Sequence, residues 1–131
     1  MIIAVARGMI DGQDQRPTLL VIDDEPSWRT LYRLEFEDRF HVVEAADGRD
    51  GLEKLQRIEP DLVILDLSMP RMDGLAFLAW LRERGVEVPV IVCTAVAHEA
   101  QTLARNGVCV VCKSPDLTEL WRAVQSLAPA A

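Results

Sequence analysis

Leu19-Leu20-Val21-Ile22-Asp23-Asp24 and, further along, Asp61-Leu62-Val63-Ile64-Leu65-Asp66 are aliphatic runs that each stop on carboxylates. Runs without polar alternation are the habit of strands covered on both faces, as in parallel sheets. A helical segment follows each, from Pro26 to about Asp38 and from Gly74 to Arg84. The alternation recurs with His41 to Ala46 then Arg49 to Ile58, Val88 to Cys93 then His98 to Arg105, and Val108 to Cys112 then Asp116 to Leu127. Five βα units imply a parallel sheet with helices on its faces, an α/β fold.

The helices carry one-sided apolar stripes, most clearly Leu117, Leu120, Trp121, Val124 and Leu127. Gly48, Gly74 and Gly107 fall at element boundaries, Asp73 is placed to cap the third helix, and Ser114-Pro115 reads as N-cap then first helical residue. The fourth helix offers mainly Ala100, Leu103 and Ala104 as an apolar face and is expected to be short or irregular. Residues 1–17 read as a loosely ordered leader, 18–127 as the folded domain and 128–131 as a C-terminal tail.

The chain has 131 residues, half of them apolar, with 14 basic against 21 acidic side chains and a net charge of −7. A chain of this size buries roughly two-thirds of its unfolded surface, so one domain with its own core is expected and low-complexity disorder is excluded. The acidic balance argues against nucleic acid or an anionic membrane as a direct partner, because neutralising phosphates requires a basic face. The longest apolar run, Val86 to Ala97, is broken by Glu87, Pro89 and Thr94 and falls short of the about 20 residues that span a bilayer. A cytoplasmic location is expected. Cys93, Cys109 and Cys112 are too few for a disulfide scaffold. The Cys109-x-x-Cys112 spacing has no second pair and no nearby His, so both are read as part of a buried strand.

In an open parallel sheet the ligand site lies beyond the carboxyl ends of the strands. Here the first strand ends in Asp23-Asp24, the third in Asp66, the fourth in Thr94 and the fifth in Lys113. Each Asp taken singly is an ordinary turn residue, but three Asp, a Thr and a Lys at matching strand ends point to a shared crevice. Clustered carboxylates repel unless a cation sits among them, and hard oxygen ligands suit Mg²⁺. A carboxylate beside Mg²⁺ and an ammonium is equipped to attack phosphorus, with a hydroxyl bonding another phosphoryl oxygen. Of the 14 basic residues 12 are Arg, which makes a Lys just past the fifth strand notable.

The runs Leu19 to Pro26 and Asp61-Leu62-Val63-Ile64-Leu65-Asp66-Leu67-Ser68-Met69-Pro70-Arg71-Met72-Asp73-Gly74, with Thr94-Ala95 and Lys113, together resemble the receiver domain of two-component response regulators over about residues 18–127. The resemblance implies a flavodoxin-like, doubly wound five-stranded sheet of order 2-1-3-4-5 with about five helices. It implies that Asp66 accepts a phosphoryl group from a histidine kinase or histidine phosphotransfer protein. Asp24 would bind Mg²⁺ directly, Asp23 mostly through water, and the main-chain carbonyl of Ser68 would complete the protein ligands beside Asp66. Thr94 and Lys113 would contact the phosphoryl oxygens. A downstream protein partner is implied, and homodimerisation is open.

The chain also departs from that family. Where the fifth strand usually carries Phe or Tyr, it has Val110, so the ring that normally turns inward on phosphorylation is missing. Ser114 follows Lys113 in place of a cis-bonded Pro, where a cis bond would cost about 2.5–4 kcal/mol. The span from Thr94 to Lys113 is shorter than the family's. Trp28, beside the acidic pair, reads equally as a docking anchor or as packing, whereas Trp80 and Trp121 sit on apolar stripes. His41 and His98 have no metal-ligand spacing. Ser68 and Val96 lie where the family tunes phosphate lifetime.

Two other classes are weighed. A receiver-like protein-binding module would signal without phosphorylation, which Val110, Ser114 and the short fourth segment favour. A phosphatase with an aspartyl nucleophile would need a second acid two residues after Asp66, where Ser68 stands. The chain is thus expected to be a signalling receiver and not an enzyme, acting as a single-domain regulator, a relay intermediate or part of a longer protein.

Overall fold

A computed structural model describes residues 15–67, 74–105 and 108–128. Five strands, β1 (Thr18–Ile22), β2 (His41–Ala45), β3 (Leu62–Asp66), β4 (Val90–Thr94) and β5 (Cys109–Cys112), alternate with five helices. The helices are α1 (Pro26–Phe36), α2 (Gly48–Ile58), α3 (Gly74–Glu83), α4 (Ala97–Arg105) and α5 (Thr118–Leu127). All strand pairs are parallel and the sheet order is β2-β1-β3-β4-β5. The sequence-based boundaries agree to within two residues at each end. Among the described residues, no helix is long and apolar enough to cross a membrane.

Strand periodicity divides the core in two. Leu19 and Val21 of β1, with Leu62 and Ile64 of β3, face α1 and α5, meeting Tyr32, Phe36, Leu120 and Val124. Leu20, Ile22, Val63 and Leu65 face the other way, against Leu55 of α2, Phe77 and Leu81 of α3 and Leu103 of α4. The central strands are therefore buried on both sides, as their unbroken apolar runs required. Trp121 and Trp80 are half-buried on their stripes; Trp121 lies against Phe36 at 4.5 Å and donates its indole N–H to Glu35.

Local chemistry sets the helix ends. Pro26 occupies the first turn of α1, where its missing N–H costs nothing. Asp47 caps α2 by accepting the Asp50 N–H at 2.8 Å, and Asp50 accepts the Ala46 N–H in return. Gly74 opens α3 because nothing larger fits: an added Cβ would lie 2.7 Å from Leu67 Cα and 2.9 Å from the Asp66 carbonyl oxygen. Its N–H donates to the Leu67 carbonyl, tying the start of α3 to the end of β3.

Three expectations need correction. Ser114-Pro115 does not start α5. The Ser114 hydroxyl takes the Asp116 N–H and the Asp116 carboxylate takes both the N–H and the hydroxyl of Thr118. The Thr118 N–H, which would have to reach the Ser114 carbonyl in a helix starting at Pro115, is taken by Asp116 instead, and regular helix begins at Thr118. Cys109 and Cys112 are not both buried. They lie on β5, an edge strand, where Cys109 is half-buried and Cys112 exposed. Three residues apart on a strand, their side chains leave opposite faces, which removes the basis for a shared metal or disulfide. On α4, Leu103 is buried and Ala100 half-buried, but Ala104, expected on the same apolar face, is exposed; the helix itself is short as expected, the shortest described at nine residues.

The leader's residues 1–14, Asp73 as a cap and Gly107 lie outside the described residues. No peptide bond among the described residues is cis, so the chain leaves Lys113 for Ser114 through a trans bond.

Candidate functional site

The sheet delivers its polar residues to one edge because parallel strands all end there. The Asp23 N–H donates to the Ala45 carbonyl, and the Lys113 N–H to the Thr94 carbonyl at 2.8 Å. These bonds extend the ladder beyond β1 and β5 and fix both side chains over the sheet. Asp66 is the last residue of β3, paired with Cys93, and Thr94 is the last of β4, paired with Cys112.

Asp23, Asp66 and Thr94 are buried at 1%, 7% and 3% exposure, whereas Asp24 is exposed. One carboxylate oxygen from each of Asp23, Asp24 and Asp66 lies within 4.8 Å of the others. Lys113 Nζ is 2.8 Å from Asp23 Oδ2 and 3.5 Å from Asp66 Oδ1. Asp23 Oδ1 accepts the Glu25 N–H at 2.9 Å, so both of its oxygens are engaged. Thr94 Oγ1 accepts the Val96 N–H at 3.1 Å, which holds the hydroxyl on the loop after β4.

Burial alone would lower the Lys113 pKa; the hydrogen bond and charge of Asp23, joined by those of Asp66, outweigh it and hold the ammonium above the usual lysine value. Among the described residues, the Lys113 ammonium pairs with two of the three clustered carboxylates, Asp23 and Asp66. Oxygens of mixed exposure, from side chains on two strand ends, fit a hard divalent cation. The Ser68 carbonyl lies outside the described residues, as does the rest of the loop 68–73.

Arg29, one turn into α1, braces the floor. Its Nη1 donates to the Asp23 carbonyl at 2.7 Å and its Nε to Glu44 of β2 at 3.2 Å, while Arg33 also pairs with Glu44. Trp28 is half-buried, its ring 5.8 Å from that of Tyr32, and Lys113 Nζ stands 4.9 Å from the Trp28 ring centroid. Packing is therefore part of what Trp28 does. Sequence reading missed Arg29, Tyr32 and the partnership of Trp28 with Lys113. The available signal was the four-residue spacing of Trp28 and Tyr32, which puts both on one helix face.

Behind the site, Tyr32 meets Cys93 of β4. Burial raises the Tyr32 phenol, and Cys93 and the nearby Asp23 and Asp66 charges add to it. Burial pushes the Cys93 thiol up to about 12, against the lowering effects of Tyr32 and Lys113. Cys93, Tyr32 and Lys113 all bind their protons more tightly in the folded protein. Above the ordinary thiol value of 9.0 the unfolded chain therefore holds fewer protons than the folded one, and stability falls as pH rises. Cys93 alone contributes a loss of about 1.4 kcal/mol per pH unit from there toward its folded value. Urea midpoints are expected to drop between about pH 9 and about pH 11 and to drop less steeply in Cys93→Val; a level or rising midpoint would contradict this coupling.

Among known proteins, response regulator TrrA from Thermotoga maritima, solved in complex with Mg²⁺-BeF, is 33% identical, with a TM-score of 0.77 over 85% of this chain and 98% of that one. The chemotaxis protein CheY4 of Vibrio cholerae is 27% identical, with a TM-score of 0.73 over 86% and 98%. An uncharacterized 14.6 kDa protein of Leptolyngbya boryana is 37% identical over 82% of this chain and 86% of its own length. The Regulator of RpoS from Escherichia coli is 42% identical over 63% of this chain. The chain spans only 25% of that protein's length, and 41% of the probable C4-dicarboxylate response regulator DctR of Halalkalibacterium halodurans, to which it is 36% identical. The family model of the response regulator receiver domain matches residues 19–125. That match runs from the second residue of β1 to within two residues of the end of α5, takes in every strand end at the acidic crevice, and places the chain in the response regulator receiver family.

Proposed function

We propose that the chain is a phosphoacceptor, in which Asp66 takes a phosphoryl group from a phosphohistidine on a histidine kinase or phosphotransfer protein. The observation that carries this is the approach of Asp23, Asp24 and Asp66 to within 4.8 Å of one another beside the Lys113 ammonium. Asp23, Asp24 and Asp66 would hold Mg²⁺, with the Ser68 carbonyl as a further ligand. Bound there, the ion neutralises charge on the phosphoryl oxygens. The anionic Asp66 oxygen forms the new bond to phosphorus as the bond from phosphorus to the donor nitrogen breaks. Lys113 donates to a phosphoryl oxygen from the Asp66 side, and the Thr94 hydroxyl, at the adjacent strand end, donates to another.

TrrA, solved with Mg²⁺-BeF, supports the cation reading by similarity. The CheX–CheY complex of Borrelia burgdorferi, solved with BeF₃ and magnesium, does the same and also shows a relative of 25% identity joined to a protein partner. A downstream protein partner and a cytoplasmic setting complete the proposal.

The test is intact-mass spectrometry after incubation with Mg²⁺ and acetyl phosphate. One added phosphoryl group is expected. A folded, Mg²⁺-bound protein without the adduct would overturn the phosphoacceptor reading in favour of a binding module that works without phosphate.

A further inference from the structure

Among the described residues, Lys113 has three partners of different character. Two are carboxylates, Asp23 at 2.8 Å and Asp66 at 3.5 Å, and the third is the neutral ring of Trp28, whose centroid is 4.9 Å from Nζ. The side chain is only 8% exposed, so little water is left to solvate the ammonium on its remaining side. An ammonium over an indole face is attracted by the ring quadrupole, more strongly where water is excluded.

The ring is held in place. Pro26 fixes the first turn of α1, the next residue after Trp28 is Arg29, pinned to the Asp23 carbonyl and to Glu44, and Tyr32 lies against the indole from the following turn. Val110 puts no ring on β5, so the aromatic group at this crevice comes from α1. The carboxylates are also the groups that a divalent cation would claim, and that cation repels an ammonium. The ring competes for neither charge.

We propose that Trp28 is a positioning residue for phosphoryl uptake: its indole face keeps the Lys113 ammonium beside Asp66 when the acidic side chains are engaged by a cation. This rests on the phosphoacceptor reading above. A flat π face is what matters, so Phe serves in part and an aliphatic side chain of similar bulk does not.

The experiment compares wild type, Trp28→Phe and Trp28→Leu in the full chain, measuring the initial rate of phosphoryl uptake against acetyl phosphate concentration at saturating Mg²⁺. Trp28→Leu is expected to lower the maximal rate about tenfold, the scale of a desolvated cation–π contact, with the half-saturating donor concentration unchanged. Trp28→Phe should stay within about threefold of wild type. In a Lys113→Ala background, Trp28→Leu should have no further effect, because Trp28 acts through that ammonium. Nuclear magnetic resonance gives a readout independent of turnover: the Lys113 ε-methylene protons should be ring-shifted upfield with and without Mg²⁺, and should lose that shift in Trp28→Leu.

Equal rates in all three proteins, or equal losses in the Phe and Leu variants, would overturn the proposal while leaving Asp66 as acceptor. Absence of the ring shift in wild type would overturn it too. An unlabelled wild type would overturn both readings together.

Discussion

Asp66→Asn is expected to abolish phosphoryl uptake, by at least about a hundredfold, because the amide keeps the shape of the carboxylate but has no anionic oxygen to attack phosphorus. The same change should not harm the fold. Three carboxylates lie within 4.8 Å of one another, two of them on the Lys113 ammonium, and like charges at that separation repel by on the order of a few kcal/mol at the effective dielectric of a protein surface. Removing one of them relieves that repulsion, so the melting temperature in metal-free buffer should equal or exceed that of wild type. Circular dichroism melts beside the uptake assay separate the two effects. A variant that still took up phosphate would move the acceptor elsewhere; one that melted several degrees lower would mean that the Asp66 charge holds the strand end together.

Lys113→Ala should have the opposite effect on stability. Uptake should fall by about a hundredfold, the scale of removing one charged donor aimed at developing negative charge. Stability should fall as well, since Asp23 and Asp66 lose the cation between them and a broken buried pair costs on the order of 3 kcal/mol. Added Mg²⁺ should then raise the melting temperature of this variant more than that of wild type, because the ion fills the role left by the ammonium and binds only the folded site. Thermal melts with and without Mg²⁺ check this. A Mg²⁺ shift no larger than in wild type would show that Lys113 and the cation do not share the same carboxylates.

Much of this site could be read in the sequence because parallel strands carry their last residues to a common edge. Asp23, Asp66, Thr94 and Lys113 each follow an aliphatic run, and the observed register gathers those ends as the pattern implied. The misreadings came from features that local pattern does not encode. Cys109 and Cys112 sit in a run as apolar as a central strand's, but β5 is an edge, which follows from the strand order implied by the resemblance and not from the run itself. At Ser114-Pro115 the signal for a helix start was real in residue type. It lost to the Asp116 carboxylate, which occupies the Thr118 donors. Trp28 could be placed on α1 but not under Lys113, since that contact depends on how the end of β5 approaches the start of α1 across the sheet.

The most direct measurement treats Mg²⁺ and acetyl phosphate-labelled protein with borohydride, which reduces an acyl phosphate to the alcohol, and maps the product by peptide mass. Homoserine at position 66, and unmodified side chains at Asp23 and Asp24, is the expected result. Reduction at another carboxylate, or label that survives borohydride on His41 or His98, would contradict the assignment of Asp66 as the phosphoryl acceptor.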